Sequence, residues 1–542
     1  HLIVWQASDN FPPMKRTKLS YSSDEGASWT CIADSCTDPG ECPDTCGNDQ
    51  NYSGSDTLLA WDQSFLWDMP TQEEAASSSP AQVFPSSAAR VKVDVWDESG
   101  NHASDTSDAN FYIIQPTTTA IKTLIVWDSG RYEGKFGTAA KDVMALKLQE
   151  LSDHSKVSGT VLDLASVPEV QTPFGTWDAD DPPTAANVGL ANAVVDEIRT
   201  YLINQINAAY TNTQSMILVG DDHQIPFMRI PDGCSIYPEG TYPGETSLSD
   251  LHPAGWAIAD GYYLSDNAYA ELSPEATGLS APHDLAYLND YAIGRLVETP
   301  SQIEGVINTY LAQDGQVNVT TSAEEILVTG LDFLYDSALD IRDAYDAAAP
   351  GWPVDALLDS DPAPSGDDYT PAQLRDQLFH NGSNELHQIA NINTHANHYA
   401  FAASTGNLWT TEMESEPNGL TSTVLYTSGC HSGLPVPNGA DPNDLDLPEL
   451  MAEKGVVAYI GNTGYGWGMR YGKGLTESLM EGITSEILGN DSITIGKALA
   501  NAKRSYYLQE KRYDVFDEKV LHELTLFGIP NYLVVTAVDR RG

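Results

Sequence analysis

Basic residues are scarce in this chain of 542 residues, which carries 27 Lys and Arg against 77 Asp and Glu. The formal net charge is −50 at pH 7, and a surface this negative repels nucleic-acid phosphates and anionic membranes. Nucleic acid is therefore excluded as an expected partner. The many carboxylate oxygens are instead suited to hard cations such as Ca²⁺.

Long apolar runs are also missing. No stretch reaches the roughly 18 apolar residues that a membrane-spanning helix needs, so we expect no membrane span. The chain begins with His1 rather than Met and shows no signal peptide. We therefore expect a processed segment of a larger precursor or surface assembly.

Cysteine is rare as well, with six residues in the chain. Four of them lie in one short loop rich in Gly, Pro and Asp: Cys31, Cys36, Cys42 and Cys46. This crowding predicts two local disulfides and an oxidising compartment, so we expect a secreted, extracellular or cell-surface protein. Zinc is the competing interpretation, although the spacings lack the C-x2-C pairs of zinc knuckles.

The pattern of the chain changes near residue 120. Residues 1–116 contain short alternating strands such as ARVKVDVW, separated by turns of Gly, Asn and Asp. They predict an all-β, immunoglobulin-like sandwich. Few strands precede Tyr21, which suggests truncation at the N-terminus, and PTTTA at 116–120 is typical of a linker.

From residue 121 onward, apolar strand segments alternate with amphipathic helical segments. The strand segments are KTLIVWD (122–128), SMILVGD (215–221), EILVTGL (325–331), IANINTH (389–395), TVLYTSGC (423–430) and VVAYIGN (456–462). This alternation predicts α/β architecture, with parallel strands covered by helices on both faces. Because about 420 residues exceed one such unit, we expect two parallel-sheet subdomains, 121–320 and 321–538.

Two of these segments end in side chains that carry chemistry. IANINT runs into His395 and VLYTSG runs into Cys430, a separation of 35 residues that fits one βαβ crossover. Both side chains should therefore emerge at the same carboxyl edge of the sheet. An imidazole can remove the proton of a neighbouring thiol, which makes Cys430 a candidate nucleophile and His395 its base. Gly429 leaves room for main-chain N–H groups to bind an oxyanion.

Other interpretations of these residues stay open. A lone Cys or His at a strand end is more often structural than catalytic. His395 and His398, together with Asp221 and Asp222, are alternative metal ligands, although they form no H-E-x-x-H set. No G-x-S-x-G elbow, P-loop or G-x-G-x-x-G fingerprint follows a strand, which argues against a serine hydrolase or a nucleotide-binding protein.

Six blocks of the α/β region, in order, resemble the gingipain-like cysteine peptidases of family C25, which are relatives of the caspases and legumains. The blocks are ILVGDDHQIPF, ADGYYLSDNAYAEL with DYAIGRLVETPSQIEGVINTYL, NINTHANH, TSGCHSGLPVP, KGVVAYIGNTGYGWG and LTLFGIPNYLV. The resemblance covers residues 121–538 and implies a caspase-like fold with the catalytic pair in its second subdomain. It implies an endopeptidase that acts on proteins or peptides through an acyl-enzyme, without an organic cofactor.

Carried over residue by residue, the resemblance makes Cys430 the nucleophile and His395 the base and general acid. The family usually has Gly directly after the His, where this chain has Ala396, which keeps its N–H but restricts the backbone. Asp222 is the candidate for the acid that orients the His. Asp260 aligns with the acid that selects a basic P1 residue, with a turn-capping carboxylate as the alternative.

Family relatives bind structural Ca²⁺, and the acidity of this chain makes such ions an expectation here. Acidic stretches lie at Asp178, Asp180 and Asp181 and at PNGADPNDLD (437–446). Two other functions remain open. One is a catalytically quiet surface, adhesive or filament protein that retains the peptidase fold. The other is a processing or sorting peptidase within a larger secreted precursor.

Overall fold

The chain divides into two compact units, residues 1–119 and 120–542. A computed structural model describes residues 2–4, 14–36, 64–66, 86–97, 99–107, 111–113, 121–246, 248–319, 326–348, 354–360, 367–379, 387–417, 419–437, 445–510 and 512–536.

The first unit is built from antiparallel strands. They are β1 Leu2–Val4, β2 Met14–Ser22, β3 Thr30–Asp34, β4 Ser64–Leu66, β5 Ser86–Asp97, β6 His102–Thr106 and β7 Phe111–Ile113. The order β3-β2-β5-β6 forms one sheet, β7 also pairs with β5, and β1 pairs with β4. The immunoglobulin-like sandwich stays a prediction. So do the two disulfides, because Cys42 and Cys46 lie outside the described residues.

The second unit contains both strands and helices. Its strands are β8 Thr123–Trp127, β9 Gly159–Asp163, β10 Ser215–Val219, β11 Met228–Pro231, β12 Tyr262–Ser265, β13 Glu275–Ala276, β14 Leu285–Ala286, β15 Ala292–Leu296, β16 Gln316–Val319, β17 Ile326–Asp332, β18 Val354–Ser360, β19 Ile389–Asn393, β20 Ala396–Asn397, β21 Ala400–Ala403, β22 Gly406–Trp409, β23 Val424–Thr427, β24 Ala458–Asn462, β25 Ser492–Thr494, β26 Leu524–Gly528 and β27 Leu533–Thr536.

The α-helices of this unit are α1 Ser129–Phe136, α2 Thr138–Asp153, α3 Pro168–Asp178, α4 Asn187–Ala208, α5 Tyr242–Thr246, α6 Pro253–Ala259, α7 Pro300–Ala312, α8 Tyr335–Ala348, α9 Pro371–Phe379, α10 Thr410–Glu414, α11 Leu447–Glu453, α12 Thr476–Gly489, α13 Ile495–Gln509 and α14 Val515–Glu523. Short 3₁₀ helices lie at Leu164–Ser166, Glu239–Thr241 and Asn267–Ala270. No helix in the described ranges is long and apolar enough to cross a membrane.

Ten strands form one continuous sheet in the order β18-β17-β19-β23-β24-β26-β15-β10-β8-β9. The six predicted strand segments coincide with β8, β10, β17, β19, β23 and β24, which confirms the α/β architecture. The predicted subdomains 121–320 and 321–538 contribute different halves of this sheet. The expectation of two separate sheets is therefore wrong, because β26 joins the halves edge to edge. The boundary at residue 320 stays a prediction.

The direction of the strands reverses between β24 and β26. β26 is parallel to β15 but antiparallel to β24, whereas the other neighbours in the sheet are parallel. The carboxyl ends of β19 and β23 therefore lie at the opposite sheet edge from the carboxyl ends of β10 and β15. We refer to the edge at the ends of β17, β19 and β23 as the catalytic edge.

The sheet is buried on both faces, as the continuous apolar strand segments predict. Successive residues of a strand point to opposite faces. Ile389 of β19 and Val424 of β23 accordingly join one apolar cluster, whereas Ala390 and Leu425 join another. Packing on both faces holds these two strands rigidly beneath the catalytic edge.

Gly294 in β15 allows the two halves of the sheet to approach each other. A Cβ at this position would lie 2.5 Å from the carbonyl oxygen of Gly528 and 2.9 Å from Cδ of Pro530. We expect Gly294→Ala to lower the free energy of unfolding by about 1–3 kcal/mol because of this overpacking, as measured by urea denaturation.

Gly134→Ala provides the matched control, because Gly134 lies in α1 with no atom near the position of an added Cβ. The free energy of unfolding of this variant should rise by about 0.5–1 kcal/mol, because Ala loses less conformational freedom than Gly when the helix forms. An unchanged urea midpoint for Gly294→Ala would contradict the close approach at the junction.

Candidate active site

His395 and Cys430 emerge next to each other at the catalytic edge. β19 and β23 are parallel neighbours, with Ile392 opposite Thr427. His395 and Cys430 each follow three residues later in their own segment. The register of the two strands therefore brings both residues out of the sheet at the same level.

Gly429 makes the close approach of these two segments possible. A Cβ on Gly429 would lie 2.5 Å from Cβ of Ala396 and 3.2 Å from the carbonyl oxygen of Thr394. The residue before Cys430 thus packs against the residues on both sides of His395. A residue with a side chain would force the two segments apart.

His395 is oriented by Asp332, a carboxylate that the sequence does not single out. Nε2 of His395 lies 3.5 Å from Oδ2 of Asp332, and the imidazole meets the ring of Phe333 edge-on, with 5.5 Å between ring centroids. Asp332 ends β17, which pairs with β19 in parallel, so the register again aligns the partners. The two side chains are 48% and 41% exposed, and such a pair orients a ring more than it stabilises a fold.

Asp222 does not orient His395, contrary to the expectation from the sequence. It follows β10, whose carboxyl end lies at the other edge of the sheet. Its oxygens Oδ1 and Oδ2 accept hydrogen bonds from Nη1 and Nη2 of Arg229, at 2.8 and 2.5 Å. Oδ1 also accepts from the N–H of Phe227 at 2.9 Å. Because Arg229 is buried with it, this carboxylate neutralises a buried guanidinium and shapes the turn after β10.

Cys430 is partly exposed beyond the carboxyl end of β23. Its Sγ donates a hydrogen bond to the carbonyl oxygen of Gly466, at 3.3 Å. Burial raises the pKa of the Cys430 thiol to about 12, helped by the carboxyl groups of Glu523 and Glu239 and opposed by Lys519. The sulfur therefore needs a base before it can act as a nucleophile.

The backbone N–H of Cys430 is available to a ligand. Within the part of the chain that the structure describes, it donates to no backbone carbonyl and to no side chain. An N–H in this position can donate to an oxygen that becomes negatively charged next to the sulfur.

Asp260 follows helix α6, and its side chain is exposed. Its backbone lies beside a turn of the 239–241 segment, since a Cβ on Gly240 would lie 3.2 Å from the carbonyl oxygen of Ala259. Among the described residues, no side chain forms a hydrogen bond or an ion pair with the Asp260 carboxylate. A role for Asp260 in substrate selection stays a prediction.

The alternative metal ligands are engaged with other protein groups. His398 is buried, and its Nδ1 is hydrogen-bonded to the hydroxyl of Tyr242 at 2.6 Å. Asp221 forms an ion pair with Lys135 at 2.8 Å. In the described ranges, no group of three or more His, Cys, Asp or Glu side chains is arranged to hold a metal ion.

Two of the carboxylates in the acidic stretch at 178–181 accept hydrogen bonds from protein groups. Asp178 accepts two hydrogen bonds from Arg131, at 2.8 and 2.9 Å. Asp180 accepts from the N–H and the hydroxyl of Thr184. Residues 438–444 lie outside the described part of the chain, so structural calcium stays a prediction without assigned ligands.

The raised pKa of Cys430 predicts slow alkylation near neutral pH. Since only the thiolate reacts, a pKa of about 12 in place of 9 lowers the reactive fraction at pH 8 by about a thousandfold. The iodoacetamide reaction, followed by peptide mass spectrometry, should accelerate continuously up to pH 10. Buried Cys234, whose pKa is raised still further by burial, should stay unmodified. A plateau in the Cys430 rate below pH 8 would show that the thiolate already exists at rest.

Comparison with known proteins identifies relatives in sequence and in structure. The model of Peptidase family C25 matches residues 118–534. Among solved structures, the chain is similar to the Arg-specific cysteine proteinase gingipain R (RgpB), with 15% identity and a TM-score of 0.47 over 78% of this chain and 80% of that one. The complex of the RgpB pro- and mature domains from Porphyromonas gingivalis is similar at 14% identity and a TM-score of 0.47, over 77% and 80%.

A more distant similarity is to the separase–securin complex of Saccharomyces cerevisiae, with 11% identity and a TM-score of 0.32 over 76% of this chain and 23% of that one. The search of curated proteins found no match. The family match spans most of the α/β unit, including both His395 and Cys430. The chain therefore belongs to peptidase family C25, a family of cysteine peptidases.

Proposed function

We propose that the protein is a secreted cysteine endopeptidase, with Cys430 as the nucleophile, His395 as the base and general acid, and Asp332 as the orienting carboxylate. One observation carries the proposal. The parallel register of β17, β19 and β23 brings these three residues out level with one another at the catalytic edge.

The ring geometry supports a separate task for each nitrogen of His395. Nε2 faces Asp332, so Nδ1 takes the proton of Cys430 as the sulfur attacks the carbonyl carbon of the peptide. The Asp332 carboxylate stabilises the imidazolium that forms. His395 then gives this proton to the leaving amine, which departs as a thioester remains on Cys430.

The negative oxygen of the tetrahedral intermediate is held by main-chain donors. The N–H of Cys430 is the first of them, and the small residues Gly429 and Ala396 allow a substrate backbone to approach. Water then hydrolyses the thioester, with His395 accepting its proton. Because burial raises the pKa of the Cys430 thiol, His395 removes the proton as the sulfur attacks in this proposal.

Other parts of the proposal rest on composition. The net charge of −50 favours basic over acidic peptides near the surface, and Asp260 is the candidate for selecting basic P1 residues. Secretion rests on the cysteine-rich loop, and bound structural calcium rests on the acidity.

The alternative is a catalytically quiet surface, adhesive or filament protein. One observation favours it: Sγ of Cys430 donates its hydrogen bond to the carbonyl oxygen of Gly466, and burial raises the pKa of this thiol.

A peptide library carrying every P1 residue tests the proposal, with Ca²⁺ and reductant present. We expect cleavage by the wild type and none by Cys430→Ala. Asp260→Asn should lose any preference for Arg or Lys at P1, and an unchanged preference would exclude Asp260 as the selecting acid. If neither the wild type nor Cys430→Ala cleaves any peptide, and a substrate-like thiol probe does not label Cys430, the protein is the catalytically quiet surface, adhesive or filament protein of the alternative.

Removal of the Asp332 charge should slow turnover without weakening substrate binding. We expect Asp332→Asn to lower kcat by roughly 10- to 100-fold with KM nearly unchanged, because the carboxylate acts on the imidazolium in the transition state. Steady-state kinetics on the best library peptide measures this. Asp346→Asn, which changes an exposed carboxylate of α8, should retain wild-type kcat. Equal kcat for the wild type and Asp332→Asn would exclude the orienting role.

A further inference from the structure

A buried carboxylate, Glu239, lies behind the nucleophile and binds two groups that the proposed mechanism does not use. Its Oε2 accepts a hydrogen bond from Nε2 of His431 at 2.8 Å. Its Oε1 forms an ion pair with Nζ of Lys519 at 2.6 Å. All three side chains are fully buried. We refer to Glu239, His431 and Lys519 as the Glu239 cluster.

The same carboxylate also holds the loop that receives the thiol. Oε1 of Glu239 accepts a hydrogen bond from the N–H of Tyr465 at 2.7 Å. The next residue is Gly466, whose carbonyl oxygen accepts from Sγ of Cys430. Glu239 is thus linked to the residue directly after Cys430 on one side and to its sulfur acceptor on the other.

His431 carries this link in an unfavourable backbone conformation. Its φ is +51°, in the left-handed region that a residue with a side chain rarely adopts. The ring stacks on Tyr242 with 3.4 Å between centroids and 9° between planes, and the N–H donates to the carbonyl oxygen of Gly464 at 2.6 Å. The side-chain anchor on Glu239 therefore helps to hold the turn that presents Cys430.

The charges around Glu239 agree with this arrangement. Burial raises the pKa of the Glu239 carboxyl, but Lys519 and His431 outweigh burial and bring the pKa down to about 2. Burial lowers the pKa of His431, whose Nε2 lies against the Glu239 carboxylate. Lys519 also pairs with Asp232 at 3.0 Å, and burial raises the pKa of Glu523 well above its ordinary value.

We propose that Glu239 is a positioning residue of the active site, which holds the sulfur of Cys430 where His395 and the substrate carbonyl can reach it. It acts through the ring of His431 and through the loop at Tyr465. The inference rests on the proposed function, in which Cys430 is the nucleophile.

Glu239→Gln tests the inference because it removes the charge at nearly constant volume. Misplacement of a reacting atom by about 1 Å costs on the order of 100-fold in rate, so we expect kcat to fall by about that factor with KM changed less than about threefold. Glu245→Gln is the matched control. Glu245 is exposed and accepts a hydrogen bond from the hydroxyl of the same Tyr465, at 2.9 Å, and its loss should leave kcat unchanged.

Thiol alkylation gives a second readout that moves in the opposite direction. Glu239 is one of the groups that raise the pKa of Cys430, so Glu239→Gln should speed the iodoacetamide reaction of Cys430 while turnover slows. General unfolding would expose Cys234 to the reagent as well, and we expect Cys234 to stay unmodified.

Two substitutions of His431 separate the side-chain anchor from the backbone conformation. His431→Gly relieves the positive φ but removes the anchor, so kcat should fall about as far as in Glu239→Gln. His431→Asn tolerates the left-handed conformation and keeps an amide donor for Glu239, so it should recover at least part of the lost kcat.

Three outcomes would overturn the inference: wild-type kcat in Glu239→Gln, a loss confined to KM, or wild-type kcat in His431→Gly. Failure of the proposed function is distinguishable, because the wild type and Cys430→Ala would then cleave the library equally.

Discussion

The hydrogen-bonded register of three parallel strands is the constraint on which the rest of the site depends. β17, β19 and β23 end at the same level, so Asp332, His395 and Cys430 leave the sheet as neighbours. Backbone hydrogen bonds and packing on both faces make this register costly to change. The contact between Asp332 and His395 can therefore be long and exposed and still orient a ring, because the sheet has already placed both residues.

Two carboxylate contacts at the site differ in burial and in consequence. The contact of Asp332 with His395 is half exposed, and water and salt screen it. The Glu239 cluster is fully buried. Because burying an ion costs desolvation free energy, a buried ion pair is weak evidence for stability. The cluster instead fixes local geometry, because one carboxylate with fixed partners holds the turn after Cys430 and the loop around Gly466. Glycines at 429 and 464 leave the space that this arrangement requires.

The sequence predicts the α/β architecture and the placement of His395 and Cys430, because each follows an apolar strand whose carboxyl end is readable from hydrophobicity. Asp332 also follows such a strand, but strands buried on both faces carry no alternation from which their order could be inferred. Asp222 looks equivalent in sequence, and the reversal between β24 and β26 puts it at the other edge. Glu239 lies 192 residues from His431, a separation at which no local pattern connects two residues.

The position of α14 and β26 near the end of the described chain has a consequence for biosynthesis. α14 supplies Lys519, the counter-ion of Glu239, and β26 joins the two halves of the sheet. A polypeptide leaves the ribosome from its N-terminus, so Glu239 is made long before its counter-ion. A nascent chain can pair β17, β19 and β23 early, yet it completes the surroundings of Cys430 only after residues 515–528 have emerged. The order of translation thus leaves the surroundings of Cys430 incomplete until the rest of the domain has been made.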